Sequence, residues 1–128
     1  MSDVKLEDYK NLLNNSNIAI HLVGEDGTIL WANNLELETL GYEPDEYIGH
    51  CITEFHKDPD VIADILKCLL GHEELNQYPA RLISKNGDLR YVLINSNVYF
   101  KEDKFIHTRC FTLDVNKKVY DLYMKRSF

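Results

Sequence analysis

Cysteine, proline and glycine are all scarce in this sequence. Three cysteines (Cys51, Cys68 and Cys110) stand among 128 residues. An odd number cannot all pair within one chain, and their spacing matches no zinc or redox motif. A chain of this length buries roughly two-thirds of the surface its unfolded state exposes, so it needs no disulfide or metal staple. With no apolar leader at the N-terminus, the expectation is a reducing, cytoplasmic compartment. The three prolines and six glycines form no linker or low-complexity stretch. No apolar run nears about 18 residues, so no membrane contact is expected from this segment. Basic charge is also in deficit: 14 Lys and Arg face 21 Asp and Glu, a net charge of −7. That argues against a nucleic-acid partner. The one loose basic cluster, Lys117, Lys118, Lys125 and Arg126, reads as the solvated face of a helix.

What the sequence does have is aromatic residues and periodicity. Eight tyrosines and five phenylalanines argue against disorder, and the length fits one domain. Residues 3–14 carry Val4, Leu6, Tyr9, Leu12 and Leu13 at helical spacing. IAIHLV and TILWAN flank a turn containing Gly24 and Gly27, which predicts a hairpin. Asn33 or Asn34 is placed to cap a helix over residues 35–40 that stops at Gly41. A second short helix contains Pro44 and ends before Gly49. A third starts with Asp58 as its cap and Pro59 as its first residue, and stops at Gly71. Along it Val61, Ile62, Ile65, Leu66, Leu69 and Leu70 recur at spacings of three and four, so it should lie on a sheet.

From about Tyr78 the pattern becomes strand-like. QYPARLIS and LRYVLINSNVYF are joined by Lys85-Asn86-Gly87-Asp88, and Asn-Gly between two such runs is a strong hairpin signal. The segment 101–104 then turns the chain into FIHTRCFTLDV. Residues 116–127 return to helical spacing. The expectation is an α+β domain: five antiparallel strands in one sheet, short helices on one face and helices at both termini. A lone hairpin is only marginally stable, so IAIHLV–TILWAN must join the last three strands.

In this order the segments resemble a PAS domain. DGTILWAN is similar to the end of the first PAS hairpin, with Asn33 leading into the helices. LGYEPDEYIGH, the Asn-Gly hairpin of ARLISKNGDLRYVLINSNVYF, and FTLDVNKK resemble later motifs of that family. The nearest flavour is the PAS module of bacterial multi-sensor histidine kinases. The resemblance implies an N-terminal amphipathic helix over residues 1–16, a PAS domain over 17–116 and the start of a connecting helix over 117–128. It implies a non-catalytic sensory module within a larger regulator, a downstream kinase or effector domain, and a homodimer through the terminal helices. Asp114 and Asn116 fall where the family's closing motif relays signals, and Asn116 can cap the following helix.

Several constellations bear on possible chemistry. Light-sensing relatives attack flavin with a cysteine in Gly-x-Asn-Cys-Arg-Phe-Leu-Gln. Here Gly49-His50-Cys51-Ile52 puts the cysteine one residue too early, without the flavin-contacting partners. Neither His56 nor His72 lies in the apolar stripe of a helix, so haem is not expected. Cys68 with His72 is too few ligands for a metal. No nucleophile elbow, phosphate loop or HExxH motif supports a catalytic use of His21 with Asp26 or of His107 with Asp114. No cofactor, metal or catalytic residue is therefore assigned, and an unidentified small molecule remains a candidate ligand. The polar residues His21, Asn95, His107 and Arg109 interrupt apolar strands, and Arg109 could meet an anion. With Trp31, Tyr42, Phe55, Leu66 and Leu69 they form the candidate pocket. Strand alternation puts His107, Arg109 and Phe111 on one face, and Ile106, Thr108 and Cys110 on the other.

Overall fold

A computed structural model describes residues 5–126. The proposed helical positions Asp3, Val4 and Ser127 lie outside them. A leading helix, α1 (Leu6–Asn14), precedes a hairpin of β1 (Ala19–Val23) and β2 (Ile29–Ala32). Helices α2 (Asn34–Leu40) and α3 (Pro44–Tyr47), a 3-10 turn (Ile52–Phe55) and α4 (Pro59–Leu70) follow. Strands β3 (Leu75–Ile83), β4 (Leu89–Lys101) and β5 (Lys104–Val115) then lead to α5 (Lys117–Arg126).

All five strands form one antiparallel sheet in the order β2-β1-β5-β4-β3. The expected joining of the two ends of the chain is present: Ala19, Ile20 and His21 face Thr112, Phe111 and Cys110. The β4–β5 ladder runs from Tyr91↔Val115 to Lys101↔Lys104, so it is much longer than the β1–β5 contact. Among the described residues, 104–107 of β5 consequently extend past β1 with no strand on that side. Helices α2 to α4 cover one face of the sheet. The apolar core between them includes Ile29, Leu40, Tyr47, Phe55, Ile62, Ile65, Leu69, Leu82, Val92 and Ile94.

Local chemistry explains the boundaries. Asn33 caps α2 by accepting from the Glu36 N–H at 3.1 Å, and Gly41 ends it in a left-handed conformation (φ 83) that a side chain would disfavour. At α4 the structure corrects the sequence reading of the cap. Asp58 occupies the capping position but makes no capping bond. Its carboxylate instead accepts from Arg81 Nε at 2.9 Å and Nη2 at 2.6 Å, because a bidentate guanidinium pair outcompetes a single amide. Gly71 stops the helix as expected, and the residue after it, His72, is left-handed (φ 67). A Cβ on Gly71 would approach the Lys67 carbonyl at 3.3 Å, which makes glycine favourable there. Strand β3 begins three residues before the expected Tyr78, across an irregular step where Gln77 adopts φ 54.

Asn33 does more than cap. Its Oδ1 also accepts from the Ile20 N–H at 3.0 Å, and its Nδ2 donates to the carbonyls of Leu13 (2.9 Å) and Ile18 (2.8 Å). One side chain with no exposed surface thus ties α1, β1 and α2 together. Replacing it orphans several backbone groups at once. Asn33→Ala is expected to lose about 3 kcal/mol, read from urea unfolding, and a loss under about 1 kcal/mol would show that water replaces these bonds.

Candidate functional site

The space between sheet and helices has one aliphatic wall and one mixed wall. Ile62, Ile65, Leu66 and Leu69 of α4, with Ile52, form the first. The sheet supplies Val23 and Ile94, but also His21, Thr108 and Cys110, and His56 closes the space ahead of α4. The cavity left between them is about 20 Å³, room for about one water molecule.

Beside it lies a polar network almost sealed from solvent. Alternation along β1 turns His21 inward, and the N-terminal turn of α2 places Glu36 above it. Glu36 is 1% exposed and His21 5%. His21 Nδ1 lies 3.1 Å from Glu36 Oε2, and the Tyr47 hydroxyl donates to the same oxygen at 2.6 Å. The His21 Nδ1 nevertheless makes no well-directed hydrogen bond. The contact with Glu36 is therefore a close charge pair whose N–H points off the line. His56 Nδ1, equally buried, also has no partner.

Cys110 is the cross-strand partner of His21. Its Sγ lies 3.0 Å from Ser96 Oγ and 3.2 Å from Thr108 Oγ1. Thr108 Oγ1 already accepts from the Val23 N–H at 3.0 Å, which leaves its own proton free for the sulfur.

The charges follow from these contacts. Burial works against an imidazolium at His21, but the charges of Cys110 and Glu36 beside it outweigh that and hold the pKa well above the usual range. Burial likewise opposes ionised Glu36, yet the His21 charge and donors from His21 and Tyr47 keep its carboxyl below its ordinary value. At Cys110 burial pushes up, while the His21 charge and hydrogen bonds from His21, Ser96 and Thr108 bring the thiol below its usual value. His56 has no such support. Burial, then the repulsion of His21, lowers it to about 4, so it is neutral at pH 7.

Of the residues singled out in the sequence, His21, Leu66 and Leu69 meet at the cavity. Phe55 and Tyr42 belong to an aromatic cluster with Tyr47 beside it: the Tyr42 and Phe55 ring centroids are 5.0 Å apart, and the Tyr42 hydroxyl donates to the Ile83 carbonyl. Trp31, Asn95, His107 and Arg109 do not join them. Trp31 pairs with Leu22, which alternates with the inward His21 and so lies on the opposite face. On β5 the inward set is Thr108, Cys110 and Thr112, so His107 and Arg109 face outward. There Arg109 donates to Asn97 Oδ1 at 2.8 Å, while Asn95 accepts from the Gln77 N–H at 2.9 Å. Asp114 pairs with Arg90 of β4, and Asn116 caps α5 by accepting from the Val119 N–H at 2.9 Å. Sequence reasoning missed Glu36, Tyr47, Ser96 and the interior role of His56. No group of three or more His, Cys, Asp or Glu among the described residues is arranged to hold a metal ion. No helix among them is long and apolar enough to cross a membrane.

The architecture is a five-stranded antiparallel sheet roofed by short helices over a small interior, an α+β fold, and comparison gives the family. A PAS domain profile matches residues 17–123. The chain belongs to the PAS domain family, whose members are generally sensory modules without catalysis of their own. Among solved structures it is similar to the PAS domain of an HTR-like protein from Haloarcula marismortui (22% identity, 85% of this chain and 90% of that one, TM-score 0.74). It is also similar to a PAS domain from a two-component sensor histidine kinase (14%, 90% and 100%, TM-score 0.75). A light-oxygen-voltage domain studied with a flavin analogue matches at 16% identity over 91% of both chains, with TM-score 0.79. At such identities these likenesses speak for the fold. No curated protein sequence matches the chain.

The buried groups make stability depend on pH in a defined direction. The unfolded chain protonates His56 near its ordinary 6.5, whereas the folded chain resists until about 4. Stability therefore falls as pH drops through that window, by about 3 kcal/mol in all. Glu36 acts in the same sense further down: its contribution is present above 4.5 and is lost as pH falls through its lowered folded value. His21 acts oppositely, being fully stabilising below 6.5 and losing that contribution as pH rises through its raised folded value. Urea midpoints should thus decline between pH 6.5 and 4, and His56→Leu should flatten that limb. A limb unchanged in the variant would assign the acid sensitivity to another group.

Proposed function

We propose that this domain is the signal-input module of a larger regulator, a two-component sensor histidine kinase, and that it reports its internal state through α5. The observation that carries this reading is how α5 is seated. Tyr120 is 8% exposed and packs with its ring centroid 5.0 Å from that of Tyr91 on β4. Asn116 caps the first turn of α5, the Asp114–Arg90 pair ties the end of β5 that leads into it to β4, and α5 itself packs on β3 and β4. Strands β4 and β5 carry Ile94, Thr108 and Cys110 into the interior on their other face. A rearrangement inside therefore shifts the platform under α5. A signal achieves this only by favouring one packing over another.

The small interior supports a domain that works without flavin or haem and is filled by its own side chains. Cys51, the residue nearest to the flavin-attacking position, places its Sγ 3.1 Å from Thr53 Oγ1 and does not line the cavity. Any larger ligand must open α4 away from the sheet. The partner in this reading is a second copy of the chain. Helix α1 buries none of its residues, and Leu6, Tyr9 and Leu12 are exposed on it, as is Leu122 on α5. These form the surfaces through which terminal helices pair.

Two measurements test the reading. The full-length parent, given labelled ATP, should acquire phosphohistidine, and Tyr120→Ala should change the rate several-fold; no phosphoryl transfer ends the kinase assignment, and an unaltered rate ends the relay through α5. Sedimentation equilibrium of this chain should show a dimer that Leu12→Lys dissociates. A monomer at all concentrations would remove the pairing.

A further inference from the structure

We propose that Cys110 is a peroxide-reactive thiol, oxidised within the interior cavity to a sulfenic acid, with His21 giving a proton to the departing oxygen. The chemistry rests on the site itself. Its use as a signal rests on the sensory reading above.

The sulfur is surrounded as a nucleophile rather than as a filler. A structural cysteine sits among aliphatic groups and is inert, whereas thiolates form beside cations and hydrogen-bond donors. Here the Thr108 and Ser96 hydroxyls both lie at hydrogen-bond distance from Sγ, and His21 stands opposite on β1. His21 is in turn held by Glu36, itself bonded by Tyr47. That is a nucleophile, a proton-bearing imidazole and an orienting carboxylate in series.

A second observation points to a small occupant. His56 is more than nine-tenths buried, lines the cavity and has an Nδ1 without a partner. Buried polar atoms of this kind call for a guest that can donate and accept hydrogen bonds. The cavity of about 20 Å³ excludes glutathione, protein disulfides and aromatic reagents. Hydrogen peroxide has only one oxygen atom more than water, is uncharged, and both donates and accepts.

The step balances. The Cys110 thiolate attacks one peroxide oxygen, the S–O bond forms and the O–O bond breaks. The leaving hydroxide takes the His21 proton and departs as water. Sulfur is oxidised, peroxide is reduced, and His21 is left neutral beside Glu36 until it regains a proton from solvent. The added oxygen has almost no room against Ile62, Leu66 and Leu69, and overpacking displaces its surroundings. Strand β5, which carries Cys110 and leads through Asp114 into α5, is the element bearing that displacement.

The test treats the purified, reductant-free chain with hydrogen peroxide, then unfolds it in a diketone trap and maps the adducts by mass spectrometry. Cys110 should be labelled before Cys51 and Cys68, although both of those are more exposed. An aromatic disulfide reagent should leave Cys110 untouched in the folded chain. His21→Gln should slow oxidation of Cys110 at least about tenfold. Should that variant not fold, Ser96→Ala serves, with a smaller slowing. Cys110 left unlabelled in the folded chain, labelled no faster than Cys51 and Cys68, or insensitive to both substitutions overturns the proposal. Amide exchange in α5 is measured on the same oxidised sample. Altered exchange supports the oxidation as a signal, whereas oxidised Cys110 with unaltered α5 overturns that role and leaves the relay tested by Tyr120→Ala standing.

Discussion

Glu36 is a carboxylate that water scarcely reaches, held on the underside of a seven-residue helix. An ion in that position without partners costs many kcal/mol. Its surroundings are therefore constrained: a cation must stand beneath it and a donor beside it. His21 fills the first role only if β1 lies under α2, and Tyr47 fills the second only if α3 folds back across α2. Asn33 enforces the same arrangement from three residues away by binding the β1 backbone while capping α2. The roof of the domain is thus registered on the floor by polar contacts, and the aliphatic core fills in around them.

The same constraint gives the interior its chemical character. A cleft walled wholly by leucine and isoleucine would be inert. This one pairs an aliphatic helix with a sheet face carrying an imidazole, a thiol and two hydroxyls, because β1, β4 and β5 each turn a polar residue inward near the same level. The other face of β4, with β3 beside it, supports α5 through contacts that include Tyr91–Tyr120. Interior chemistry and the outgoing helix then meet on the two sides of β4, a sheet's thickness apart.

The scaffold was largely legible because its signals are periodic or punctuated: Ile62, Ile65 and Leu69 at helical spacing, Asn86-Gly87 between two strands, Asn33 and Gly41 around α2. The site was much less so. Alternation separated Thr108 and Cys110 from His107 and Arg109 correctly, but it could not say which set faced inward, since both mix polar and apolar residues. Arg109 drew attention as an anion donor and instead serves Asn97 on the outer face. Glu36 looked like an ordinary first-turn acid, the position where carboxylates commonly face solvent. Nothing local distinguishes it, because its burial is decided by His21 and Tyr47, 15 and 11 residues away. Asp58 misled for a related reason: Arg81, 23 residues on, claimed its carboxylate.

The overhang of β5 beyond β1 leaves a short run of backbone donors and acceptors without a ladder partner, the usual template for edge-to-edge polymerisation. The residues at its tip set a barrier to that. Lys101 and Lys104 sit opposite one another at the turn, with Glu102 and Asp103 in left-handed conformations between them. A second overhang sliding alongside would bring ammonium against ammonium along a kinked margin. The projecting hairpin is thereby kept out of cross-β growth while its backbone stays open to water.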